Sequence, residues 1–194
     1  MANKLLRTPM DGTPKQISFA NHAGDFSPTA ANDLQEGTPT EGELVLLNLA
    51  DGAAVQSAKI DLGVKWAESY VSDACIEMQL AAADADSTVD MYWNASSSPT
   101  AGVANKGGAS GVAGAYTGYS ADLSQSLKQL IEIGSMVMTD DAVDSQQIGM
   151  AGIFNPPHRY GSLILVNNTG QTICDTDDIE AHVVCSPIIA EIQS

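Results

Sequence analysis

Two stretches of this chain alternate apolar and polar residues with a period of two, and that period constrains the fold more than any other feature of the sequence. Between Glu68 and Leu80, the residues Ala74, Ile76, Met78 and Leu80 fall on one parity, and Cys75, Glu77 and Gln79 on the other. Between Thr88 and Ala95, Val89, Met91 and Trp93 alternate with Asp90, Tyr92 and Asn94. Successive side chains of a strand point to opposite faces, so each stretch reads as a strand with one face in a core. Ala74, Ile76, Met78 and Leu80 are expected inward, as are Val89, Met91 and Trp93, with Ala81–Ser87 as a tight connection.

Further apolar runs bounded by turn residues read as strands at Glu43–Leu49, Ala54–Leu62, Ile131–Thr139, Gln146–Phe154, Tyr160–Asn167 and Ile179–Ser186. Asp51-Gly52 between the first two is a hairpin signal. Ser96–Ser120 is a long loop rich in Ser, Gly and Ala, and loops of that length are usually functional or disordered. One short helix is expected over Ser120–Gln129, capped by Ser120 or Asp122, with Leu123, Leu127 and Leu130 on one face. The expected fold is all-β: an eight-stranded antiparallel β-sandwich, jelly-roll-like before immunoglobulin-like, with one short helix.

Residues 1–40 break the pattern. Pro9, Pro14, Pro28 and Pro39 interrupt helix and central strand alike, and the apolar residues recur with no period. The segment reads as an extended N-terminal arm, 1–40, preceding a sandwich domain, 41–194, with its long loop at 96–120. Ordering backbone costs about 1–2 kcal/mol per residue. An arm this poor in large apolar groups is expected to be ordered by a neighbouring subunit, and its deletion is expected to leave the sandwich folded.

Charge narrows the function. Lys+Arg 8 against Asp+Glu 24 gives a net charge of -16. No basic cluster is present to bind phosphates, so no nucleic-acid partner and no docking on anionic lipid are expected. No apolar run reaches the ~20 residues that span a bilayer. Met1–Met10 carries Lys4 and Arg7 but no following apolar region, so no signal peptide is read and synthesis in a cytoplasm is expected. Cys75, Cys174 and Cys185 are odd in number and form no CxxC pair; they read as buried free thiols, although a Cys174–Cys185 bridge is compatible with the sequence.

No catalytic constellation emerges. His22, His158 and His182 stand in no metal-ligand spacing, and His182 is expected on the outward, solvent face of the last strand. There is no GxSxG elbow and no phosphate loop, and no carboxylate pair stands out, so no enzyme and no cofactor are expected. Asp84, Asp86 and Asp90 copy the start of a calcium loop without its sixth-position glycine or twelfth-position glutamate; they are weak cation candidates. Asp140, Asp141 and Asp144, and Asp175, Asp177, Asp178 and Glu180, form two further clusters in turns, where Asp is favoured for backbone reasons alone. Arg159 reads either as a bidentate anchor for a carboxylate or as a charged strand entry. Tyr116 and Tyr119 are the one aromatic cluster that a glycan could use.

Val89–Asn94, Ser98–Gly108, Phe154–Leu163, Val166-Asn167-Asn168 and Pro187–Gln193 together resemble a group of tailed-bacteriophage virion proteins of unassigned role. The resemblance runs from Trp66 to Gln193 and leaves the arm outside it. It implies a non-enzymatic structural component of a phage particle: a capsid decoration or cement protein located in the virion, with the major capsid protein or other virion proteins as partners. A tail, collar or fibre component, or a glycan-binding host-attachment module, is the alternative. A homo-oligomer, a trimer before a dimer, is expected because Ile153 and Leu163–Val166 are apolar on both faces.

Overall fold

Strands form where the alternation is strongest. The computed structural model describes residues 14–140 and 145–188. Residues 1–13 of the expected arm, together with Asp141 and Asp144, lie outside the described residues. In chain order the strands are β1 (Ile17–Ala20), β2 (Thr40–Glu43), β3 (Ala54–Gln56), β4 (Ile60–Asp61), β5 (Ser69–Met78), β6 (Thr88–Ser96) and β7 (Gly114–Ala115), followed after the helix by β8 (Ile131–Val137), β9 (Ser145–Phe154), β10 (Tyr160–Asn168) and β11 (His182–Ile188). The helix α1 is Leu123–Leu127, and the Asp122 side chain caps it by accepting from the Gln125 N–H at 3.1 Å.

All eleven strands belong to one sheet, in the order β2-β1-β11-β5-β9-β8-β6-β10-β3-β7, with β4 also on β10. Every pairing is antiparallel except β1 with β2. The sheet is therefore mixed and continuous rather than two separate four-stranded layers. It curls until its halves face one another. Phe19 of β1 meets Trp93 of β6 edge-on at 6.3 Å, and Trp93 lies 5.1 Å from Phe154 of β9. Gly161 of β10 makes room for the indole, since a Cβ there would fall 2.2 Å from Trp93. The halves join through a single register pair, Gly134 with Gly152. Neither position admits a side chain: a Cβ would fall 2.2 Å from the Ala151 carbonyl oxygen and 2.1 Å from that of Ile133, respectively. At the far side the ends of the sheet approach, with the Ala58 N–H donating to the Glu43 carbonyl at 2.8 Å.

Residue 40 is not a boundary in this fold. Ile17–Ala20, expected in an arm, is a fully buried strand between β11 and β2. Its apolar groups enter the main core, so for residues 14–40 the chain's own sheet supplies the partner that a neighbouring subunit was expected to supply. Residues 22–36 then run over the outer face of β11. The Asp51-Gly52 turn is present, but its flanks do not form a hairpin: β3 pairs β10 and β7, while Leu49 bridges Ile173. The expected strand at Glu43–Leu49 is mostly irregular backbone whose Leu44, Leu46 and Leu49 are nevertheless buried. Leu80, expected inward, is 67% exposed just beyond β5.

The long loop is an ordered lid. Ile164 and Val166 of β10 point away from the main core and pack in a second cluster with Ala54, Ala109 and Tyr116, closed over by Leu123, Leu127 and Leu130. The Lys59 ammonium pins the loop's first half, donating to Ser96 Oγ and to the carbonyls of Ser98, Thr100 and Val103 at 2.7–3.2 Å. Leu163–Val166 are thus buried on both faces by the chain itself, which removes them as a motive for oligomerisation.

Candidate functional site

Three surface regions carry more than solvated turns. The first is a cleft of about 370 Å³ lined by Lys15, Thr40, Asp61, Leu62, Gly63, Val64, Lys65 and Arg159. Pairing of Tyr160 with Asp61 sets Arg159 beside β4. Its guanidinium grips the Asp61 carboxylate in a bidentate pair, 2.5 Å at each contact, and lies 5.2 Å from the Tyr160 ring centroid. That pair holds the Asp61 carboxyl below its usual range and the Arg159 group above its own. The carboxylate that Arg159 anchors therefore comes from its own chain. Lys15 and Lys65 are exposed and make no ion pair among the described residues.

The second is an acidic cleft of about 230 Å³, lined by Glu77, Gln79, Gln146, Thr176, Asp177, Ile179 and Glu180. The Cys174–Glu180 segment crosses the outer face of β5, with the Cys174 N–H donating to the Glu77 carbonyl and the Thr176 N–H to Gln79 Oε1. Glu77, expected outward, is therefore 2% exposed. Its carboxyl accepts from the Gln146 and Gln79 amides at 3.3 and 3.5 Å. Burial, reinforced by Asp177, Glu180 and Asp178, raises its pKa to about 7. Asp178 faces elsewhere, accepting from the Asn21 side-chain amide and from the backbone N–H groups of Leu46 and Leu47.

The third is the outer face of β9, where Ile148, Met150 and Ile153 are 47%, 61% and 55% exposed. Val71 of β5 lies in register beside Ile153, and Val137 of β8 is exposed on the next strand. The outer faces of β11 and β10 are covered by residues 22–36 and by the loop–α1 lid, while this strip has no cover among the described residues.

The remaining sequence candidates disperse. Asp84 receives a long contact from Gln171 at 3.5 Å, and Asp90 accepts from Asn168 at 2.8 Å. No cluster of three potential metal ligands forms among the described residues. His182 is buried rather than exposed, because the Leu34 N–H donates to its Nε2 and the Phe26 ring covers it at 5.3 Å. Since Nε2 accepts, Nδ1 carries the proton and donates to the Glu180 carbonyl; burial holds this neutral imidazole below its usual pKa. The three cysteines are free and buried. Burial pushes the Cys75 and Cys185 thiols up to about 12 and the Cys174 thiol upward as well, so all three lack thiolate character at neutral pH. Tyr116 is buried with its hydroxyl on the Gly107 carbonyl while Tyr119 is 55% exposed, so these two rings do not form one surface platform.

No family model, curated protein or solved structure matches the chain.

Proposed function

We propose that this chain is a non-enzymatic structural protein that acts by packing against other subunits, and that its setting is a bacteriophage particle, as a capsid decoration protein. The observation that carries the packing reading is the uncovered apolar strip of Ile148, Met150 and Ile153. It lies mid-sheet, where a monomer normally shows polar residues to water. The phage setting rests on the sequence resemblance over Trp66–Gln193, and the acidity of the chain suits a place away from packaged DNA. We read the curled sheet as a jelly-roll-like variant, because its halves face each other across one core. The strip provides a contact for a homo-oligomer, a trimer before a dimer, or for the major capsid protein.

Light scattering on the full chain tests the contact. The wild type is expected to form an oligomer, and Met150→Lys and Ile153→Glu are expected to stay folded and to lose the contact made through the strip, giving a smaller mean mass. A wild type that stays monomeric and leaves purified phage particles bare on co-sedimentation defeats the reading.

A further inference from the structure

The two clefts lie at opposite ends of the molecule, and this partition is what the strand directions impose. β5 begins at Ser69, just after Lys65, and ends at Met78, next to Glu77. Its neighbours β9 and β11 run against it, so they begin at the acidic end and finish at the other. β1 and β10 begin at the basic end, just after Lys15 and Arg159. Lys59, between β3 and β4, reaches the loop at that same end, Lys106 belongs to that loop beside the last residues of β6, and Lys128 precedes β8, which also starts from that side. Those six are all the Lys and Arg of the described residues: eight in the chain, less Lys4 and Arg7.

The opposite end is built, among the described residues, from the segments 79–87, 138–140 and 169–181. They contain no Lys or Arg, and Asp84, Asp86, Asp140, Asp175, Asp177 and Glu180 sit in them. β5 has 10 residues; at about 3.3 Å per residue the two ends stand about 30 Å apart. That is several times the Debye length of about 8 Å at physiological salt, so the acidic end is screened from the cleft, whose lining sets one acid, Asp61, against Lys15, Lys65 and Arg159.

We propose that the basic cleft of Lys15, Lys65 and Arg159 is a docking site for the acidic end of a second copy of this chain, so that copies associate head to tail. Complementary charge selects the occupant. Among the described residues Lys15 and Lys65 make no ion pair and the carboxylates of the acidic end have no basic neighbour, and Val64 adds an exposed apolar contact at the cleft. Such a contact joins two different patches, so it closes into a ring or extends as a fibre rather than stopping at a symmetric dimer. It is separate from the apolar strip on β9, which faces sideways.

Sedimentation velocity on the full chain at physiological salt, with charge-reversal variants, tests this. Lys65→Glu reverses the basic end and Asp177→Lys the acidic end, both at positions outside the core. Each variant alone is expected to lose the larger species, and an equimolar mixture to regain association, because one copy keeps its acidic end and the other its basic end. Association kept in Lys65→Glu but lost in Ile153→Glu overturns the end-to-end contact while leaving the strip reading intact. A mixture that shows no species larger than either variant alone, or a wild type that never associates, also overturns it.

Discussion

Among the described residues Glu77 is a carboxyl without a cation: its near neighbours are two amides and three other acids. Because its pKa rises from about 4.5 to about 7 on folding, the folded chain holds this proton more tightly than the unfolded chain. Stability from this group is therefore fully present below the unfolded value and is lost as pH rises through about 7. Glu77→Gln keeps the shape and removes the titration. Thermal unfolding of the variant is expected to lie further above the wild type near pH 8 than near pH 5, by several degrees for a chain of this size. A variant that melts lower at both pH values would show that the carboxylate is favoured where it sits. Period two placed Glu77 correctly on the face opposite Ile76. That the face is covered could not be read locally, because the cover comes from residues about a hundred positions further along the chain.

At the scale of elements, β5, β6, β8, β9 and β10 were legible because each has one face in the main core over seven or more residues. β1 was not legible. Its four residues are all buried, so it has no alternation, and prolines frame it on both sides. Glu43–Leu49 is apolar enough to imitate a strand, yet the segment bonds irregularly: Leu44 N–H to Ala20, Leu46 and Leu47 N–H to Asp178, and Asn48 N–H to Cys174. His182 shows the same limit, since the parity was right and the overlying Phe26 and Leu34 were unseen. These findings reverse the expectation for the N-terminal deletion. Removing residues 1–40 takes out β1 and uncovers the outer face of β11. Loss of Phe19 alone leaves a cavity against Trp93 at a cost of about 3–5 kcal/mol. The truncated chain is expected to be unfolded by circular dichroism and tryptophan fluorescence, and a cooperative native-like melt would contradict the central role of β1.

For the molecule as a whole, the candidate surfaces were legible only in their ingredients. The sequence shows 24 acids and 8 bases, but their sorting to opposite ends depends on which way each strand runs, and pairing decides that. Lys15, Lys65 and Arg159 are scattered over 145 positions until β1, β4 and β10 bring them to one rim. The apolar strip was foreseen at Ile153 and wrongly at Leu163–Val166, because a strand apolar on both faces looks the same whether a partner or its own loop covers it.

The pairing of β1 with β11 also sets a timetable. Gln16 and Ser186, joined side chain to side chain, are 170 residues apart. Leaving the ribosome, Ile17 and Phe19 have no strand to lie against on the β11 side until almost the last residue described has been made. At about 5–20 residues per second the wait is on the order of 10–30 s. During it the nascent chain carries an apolar N-terminal segment in the open, which is the condition under which chains meet chaperones or each other. A chain stopped after Ala181 is expected to stay protease-sensitive throughout its length. Resistance of its β5–β10 portion would show instead that the sheet can form from the middle and accept its outer strands at the end of synthesis.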